Sequence, residues 1–377
     1  MNLNLILLFT YDTSLKKWAE TGLIEREIKR YQRLGELGVN VTFITYGDKE
    51  DFQYKRSLGD IELLPLYAYS KKPKNKIVRL FHSLLVPFIF SELIGRADIL
   101  KSNQMWGAWV VILSKLIHRK KAIVRCGYEN FMFSVHENLR LPLRLFLKYL
   151  SFWTYRLADE IVLTSHAAAD FVHQYFRINR KKINTIANYV DTDLFKPLGF
   201  AKKKKILFIG RLSQQKNIFS LLKAVLRTNY QLDIIGDGHL RLEIENYIQK
   251  HRITANILPL VPNKQIPDIL NRYAIFILPS YYEGNPKILL EAMACGCAVI
   301  GSDVDGIREI ITHNQNGLLC GINADSINRA IVTLMEDESL RLRLGTQARE
   351  FILENCNLEK ILKKEYSLYS LLAGKDA

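Results

Sequence analysis

Short apolar runs alternate with longer amphipathic stretches along most of the chain. In the first half, runs of strand length fall at residues 3–9, 39–46, 60–64, 97–102, 121–126, 160–164 and 182–187. Between them, residues 21–37, 75–94, 104–118 and 139–157 repeat their apolar positions at helical spacing. The alternation breaks over residues 188–197, passes a charge run at 202–205, and restarts. Further strands are expected at 206–209, 231–235, 256–260, 274–279, 297–301 and 317–320, with helices between them. Alternating strands and helices predict parallel sheets covered on both faces. The fold class is therefore α/β, with two doubly wound, Rossmann-like domains facing each other across a cleft, at 1–188 and 189–355. A last amphipathic stretch, about 356–373, lies in a C-terminal segment covering 356–377.

The stretch that organises the second half is Pro279-Ser-Tyr-Tyr-Glu-Gly-Asn-Pro-Lys-Ile-Leu-Leu-Glu291. Asn285 is a good N-cap and Pro286 suits the first helical position. The amides from Lys287 onward then lack intrahelical partners and, with the helix dipole, offer a site for an anion such as phosphate. Glu283 in the loop and Glu291 in the second turn suit the fixing of sugar hydroxyls through charge-assisted hydrogen bonds. The same spacing also fits an ordinary strand–loop–helix with two solvated Glu residues.

Other loops follow strands in the same way. Gly210-Arg211-Leu-Ser-Gln-Gln-Lys216-Asn217 carries Arg211, able to bind phosphate bidentately, and Lys216 as a second point charge. Alone, such loop cations are usually solvated. Gly236-Asp237-Gly238 is not a dinucleotide fingerprint, because Arg241 stands at the third glycine position. It reads as a tight turn or as a close backbone approach to a nucleotide. The backbone around Val261 opens a further loop able to read a base edge. Residues 11–22 follow the first strand, where open α/β sheets bind ligands. Asp191 with Asp193, and Asp303 with Asp305, are carboxylate pairs of metal-binding type, yet the first lies in a linker and no metal is expected. Cys295-Gly-Cys297 has no accompanying His or second Cys pair and reads as packing.

Composition narrows the class. With 48% hydrophobic and 24% charged residues, the chain is globular and not disordered. Five cysteines, an odd number, fit reduced thiols. No cationic leader precedes the first strand, and the apolar stretch 80–91 is interrupted by His82 and Pro87, so a cytoplasmic protein is expected. The formal charge of +15 is uneven: residues 71–160 hold 16 Lys or Arg against 6 Asp or Glu. Such an excess attracts nucleic acid, acidic lipid headgroups or a phosphate-bearing substrate. No recognised RNA or DNA motif accompanies it, so nucleic acid is not the expected partner. Residues 141–153 interleave Arg144 and Lys148 with large apolar side chains, as an interfacial helix does. That pattern predicts peripheral contact with an anionic membrane on the cytoplasmic side.

Glu283-x7-Glu291, inside YEGNPKILLEAMACGCAVIGSDVDGIREII, resembles the signature of the retaining glycosyltransferases of family 4, glycosyl transferases group 1, which have the GT-B fold. The similarity runs from about Gly210 to Gly321. It implies a hexosyltransferase-type retaining transfer, without metal or cofactor, from a UDP- or GDP-sugar donor to a glycan or lipid-linked acceptor in surface polysaccharide synthesis. By this resemblance, GRLSQQKN is the donor phosphate loop, in which Arg211 and Lys216 assist the departing phosphate. Glu291 would hold ribose hydroxyls and Glu283 would face the donor sugar. The backbone from Gly284 through Asn285, Pro286 and Lys287 to Ile288 would meet sugar hydroxyls or phosphate, with Gly236 and Val261 near the nucleotide. Gly22 would approach the diphosphate, although it equally reads as a glycine that lets a helix start. The final helix would cross back onto the first domain. Same-face attack after C–O cleavage and double displacement through a carboxylate both remain open. The chain departs from the family pattern at Tyr189, where Gly is usual, and at Arg125-Cys-Gly127-Tyr128-Glu129-Asn130, where many members have His. Glu129 is the candidate catalytic or acceptor residue there. Rival readings are a sugar-nucleotide epimerase or phosphorylase of the same architecture, or a basic nucleic-acid-binding or scaffold protein.

Overall fold

Apolar runs hidden on both faces set the architecture. Leu3–Leu8 is buried at all positions but one, and Tyr273–Leu278 along its whole length. Such strands need helices on both sides, which right-handed βαβ crossovers supply. A computed structural model describes residues 3–137 and 139–375 and divides them into two units. One runs to Ile186 and resumes at Leu362; the other is Ala187–Ile361.

The first unit holds β1 (Leu3–Leu8), β2 (Val39–Thr45), β3 (Glu62–Pro65), β4 (Ile99–Ser102), β5 (Lys121–Cys126), β6 (Glu160–Leu163) and β7 (Ile183–Thr185). They form one parallel sheet in the order β3-β2-β1-β4-β5-β6-β7. The second unit holds β8 (Lys203–Ile209), β9 (Gln231–Ile235), β10 (Ala255–Leu258), β11 (Tyr273–Leu278), β12 (Ala298–Ser302) and β13 (Leu318–Cys320). Its parallel order is β10-β9-β8-β11-β12-β13. Both sheets are doubly wound, as the pattern of the chain predicts.

Two helical expectations change. The stretch 75–94 is not one helix but Lys76–His82, a 3-10 turn at Ser83–Leu85, Val86–Ile89 and Ser91–Arg96. Pro87, which cannot donate a backbone hydrogen bond, sits at the start of the third piece. The helix expected over 21–37 begins at Ile24, preceded by a separate helix, Leu15–Glu20, too short to show a period. The last helix, Leu358–Ala373, starts in the second unit and belongs to the first from Leu362 onward.

That last helix is fastened by charge. Glu365 is fully buried and takes a bidentate contact from Arg30 and a 3.0 Å bond from the Lys101 ammonium. Lys101 also meets the Tyr369 hydroxyl at 2.5 Å. Burial alone raises a carboxyl, but Arg30 and Lys101 outweigh it and hold Glu365 well below the carboxylate range. Removing one member strands the other charges without compensation. Glu365→Gln is therefore expected to destabilise the first unit by about 3–5 kcal/mol. All four tryptophans lie in this unit, at 18, 106, 109 and 153, so urea unfolding followed by tryptophan fluorescence reads it selectively. An unchanged midpoint contradicts the charge fastening.

Candidate active site

In the second sheet the winding direction reverses where β8 pairs with β11. Ligands of open α/β sheets bind beyond the carboxyl ends of the strands at such a reversal. The loops that leave these two ends are 210–217 and 279–286, the two that carry the cations and Glu283.

The loops are tied to each other. Tyr281 donates its amide to the Gln215 carbonyl at 2.9 Å, and the Gln215 side chain donates to the Tyr282 carbonyl at 2.9 Å. Asn217, left-handed at φ 53°, donates to the carbonyls of Pro279 (3.0 Å) and Ile322 (2.8 Å). This tie brings the Lys216 ammonium to 2.5 Å from Glu283 Oε1. Ser280 donates to the same oxygen at 2.7 Å, and its own carbonyl accepts from Ser302 at 2.5 Å. Glu283 is only 9% exposed, so the pair is shielded from water and stronger than a surface ion pair. Lys216 is thus already partnered. Arg211 is exposed, and its guanidinium has no partner among the described residues.

The helix after the second loop, Lys287–Ala294, begins differently from the expectation. Asn285 does not cap it: its Oδ1 accepts from the Asn188 amide at 2.8 Å, and its carbonyl accepts from the Asn188 side chain at 2.7 Å. Pro286 takes the cap position and has no side-chain acceptor to offer. The first bonds of the helix are those of Leu289 and Leu290 to the Pro286 carbonyl, at 3.1 and 3.3 Å. Diverting Asn285 into the interdomain segment therefore leaves the helix end uncapped by a side chain. Glu291 is buried one turn into this helix, and Ile288 packs on the unit's core. The Lys287 ammonium lies over the buried Tyr189 ring, 5.8 Å from its centroid.

Glycines set the spacing of the loops. A Cβ at Gly236 would stand 2.0 Å from the Gly210 carbonyl oxygen. Gly236 thus lets the loops after β8 and β9 touch, and the Leu212 amide bonds the Asp237 carbonyl at 2.9 Å. Val261 is partly buried against the core beside the exposed Leu260. Two supporting residues escaped the sequence reading. Ser280 aims Glu283, and Gly306 presses on the loop: a Cβ there would lie 2.2 Å from the carbonyl oxygens of both Glu283 and Gly284. The only sequence signal for Gly306 was its place beside the aspartates. Those aspartates are engaged by Arg308, at 2.7 Å from Asp303 and 3.2 Å from Asp305.

Two expected site residues belong to the scaffold of the first unit. Gly22, at φ 68°, terminates the helix Leu15–Glu20: its amide bonds the Ala19 carbonyl at 3.0 Å and the next amide bonds Trp18 at 2.7 Å. Its left-handed backbone is what the turn requires, so its glycine is explained by conformation. Glu129 is 1% exposed and caps the helix Asn130–His136, accepting from the Met132 amide (2.5 Å), Ser151 (3.0 Å) and Tyr155 (3.2 Å). Burial raises its pKa against the pull of those donors. This carboxyl is a buried cap, not an acid open to an acceptor. Among the described residues no group of three or more His, Cys, Asp or Glu is placed to hold a metal ion, and all five cysteines are free and buried.

Gly306→Ala is expected to displace the Glu283 loop and destabilise the second unit by about 1–3 kcal/mol, because a methyl group 2.2 Å from two backbone carbonyl oxygens cannot be seated without a shift. Thermal unfolding checks this; an unchanged midpoint would show that the contact does not set the loop.

Residues 31–194 match the family model described as Glycosyltransferase Family 4, and residues 190–351 match Glycosyl transferases group 1. N-acetyl-alpha-D-glucosaminyl L-malate synthase of Bacillus anthracis is 28% identical over 56% of this chain and 59% of its own length, less than two thirds of that relative. The N-acetylgalactosamine-N,N'-diacetylbacillosaminyl-diphospho-undecaprenol 4-alpha-N-acetylgalactosaminyltransferase of Campylobacter jejuni is 30% identical over 64% of this chain and 68% of its own. In fold, the sucrose-phosphate synthase of Thermosynechococcus elongatus superposes with a TM-score of 0.81 over 98% of this chain and 99% of its own, at 18% identity. The two halves match in order and the doubly wound sheets agree, so the chain belongs to the glycosyltransferases of family 4, with the GT-B fold.

Proposed function

We propose that the second unit binds a UDP- or GDP-sugar, and that the sugar passes with retention, and without a metal, to a glycan or lipid-linked acceptor. The observation that carries this reading is the shielded Lys216–Glu283 pair at the β8–β11 reversal, beside a helix end that no side chain caps. Without ligand, Glu283 neutralises Lys216. An entering diphosphate replaces that partner: Lys216 turns to phosphate oxygens, and Glu283, still held by Ser280, accepts hydroxyls of the sugar. Arg211 adds bidentate phosphate contacts and the helix end adds its dipole. Glu291 takes the ribose hydroxyls, with Gly236 and Val261 on the nucleotide side. As the C–O bond lengthens, the charge growing on the leaving oxygen meets Arg211 and Lys216, which supply the neutralisation a metal would otherwise give. The acceptor hydroxyl attacks the same face, and its proton passes to a leaving phosphate oxygen.

The Campylobacter relative is named for a diphospho-undecaprenol-linked acceptor, which supports a lipid-linked acceptor here and a place in surface polysaccharide assembly. The helix Leu141–Leu157 leaves Phe146, Tyr149 and Trp153 exposed beside Arg144 and Lys148, which supports peripheral contact of a cytoplasmic protein with an anionic leaflet. Among the described residues no helix is long and apolar enough to cross a membrane.

Glu291→Ala is expected to weaken UDP- or GDP-sugar binding about tenfold, since it removes a charged partner of hydroxyls; unchanged affinity in titration counts against the ribose role. Arg211→Ala combined with Lys216→Met is expected to lower kcat about a hundredfold while KM changes less, because the charge they meet develops in the transition state. Wild-type turnover would remove both from the mechanism, and an inverted anomer by NMR would remove retention.

A further inference from the structure

At position 189 the family pattern has glycine, and this chain has a tyrosine that is only 4% exposed. Both of its neighbours are pinned. Asn188 donates its amide to Asn285 Oδ1 and its side chain to the Asn285 carbonyl, at 2.8 and 2.7 Å. The Val190 amide donates to the Cys356 carbonyl at 2.8 Å. The ring between these two ties is buried and fixed, and the Lys287 ammonium sits over it, 5.8 Å from its centroid. At that range the negative face of an aromatic ring attracts an ammonium.

Lysine is an unfavourable residue for the place that Lys287 occupies. It opens the helix Lys287–Ala294, whose first turn contains no acid and whose cap residue, Pro286, offers no side-chain acceptor. The first-turn amides and the helix dipole already make that end positive, so a cation there lowers stability. The ring attracts the ammonium without neutralising it, so its charge can still act on an anion. Lys216 is held differently, by the Glu283 carboxylate. Glu291 lies four positions beyond Lys287, at the spacing of neighbours on one helix face. Two roles therefore compete for Lys287: orienting Glu291 toward a ribose, or meeting phosphate beside the first amides. A cation kept at a positive helix end against its own electrostatic preference favours the second.

We infer that Tyr189 is a positioning residue of the donor site: its ring holds the Lys287 ammonium at the mouth of the helix, where it joins Arg211 and Lys216 in meeting the diphosphate. This rests on the donor-binding reading of the second unit.

Titration of the full chain with UDP and GDP, beside uridine and guanosine, separates the two roles, because the nucleosides keep base and ribose but lack the phosphates. Lys287→Met is expected to weaken binding of the diphosphate that the wild type prefers about tenfold. It should leave the matching nucleoside unaffected and the unfolding midpoint no lower than in the wild type. Tyr189→Leu should weaken the same diphosphate about threefold, and Tyr189→Phe, which keeps the ring, should restore it. Tyr189→Leu combined with Lys287→Met should bind no more weakly than Lys287→Met alone, since the ring acts only through the ammonium. Undiminished diphosphate affinity in Lys287→Met overturns the inference, and so does an equal loss for the nucleoside, which would mean action through the ribose. A lowered midpoint in Lys287→Met would make the lysine a structural residue and overturn it as well. Fully additive losses in the double variant, or no rescue by Tyr189→Phe, overturn the positioning by the ring. A wild type that binds neither UDP nor GDP contradicts the donor reading itself, a result distinct from normal wild-type binding that the variants leave untouched.

Discussion

One ion pair between neighbouring loops, Lys216 with Glu283, depends on nearly everything else in the second unit. It exists because β8 and β11 are adjacent, and they are adjacent because both are apolar enough to lie in the middle of a sheet. It keeps its geometry because Ser280 and Ser302 fix the acid from below and Gly306 allows a helix to press on its loop. A shielded cation that already has a carboxylate partner can exchange it for phosphate without first being desolvated. In the proposed function this makes the pair a prearranged phosphate site as well as a stabilising contact.

The strand pattern was readable because each run had to satisfy burial on both faces, and the strands after 200 begin and end within a few residues of the apolar boundaries. What the chain did not disclose were choices made by tertiary partners. Asn285 has the side chain of a cap, yet Asn188, distant in sequence, claims it. Glu129 stands where a catalytic group was sought, yet Ser151 and Tyr155 enclose it. Gly22 was read through the family resemblance, or as a glycine that lets a helix start; the helix it in fact terminates is only six residues long and shows no period. The cations and acids proposed for the site were readable as a group through the family signature. The pairing of two of them was not, since it rests on a sheet order that spacing along the chain does not encode.

The basic excess of the first unit likewise divides into two kinds of charge. Arg30 and Lys101 are buried and spent on Glu365, fastening the last helix. The lysines at 71, 72, 74 and 76 have no acidic neighbour in sequence and stand beside outward aromatic side chains. A net charge alone could not separate a structural clasp from exposed surface charge; burial does.

The dependence of turnover on divalent metal tests the proposed cation site most directly. With Arg211 and Lys216 meeting the diphosphate charge, product formation should persist at an undiminished rate in excess chelator. Activity that vanishes on chelation and returns only with magnesium or manganese would contradict it.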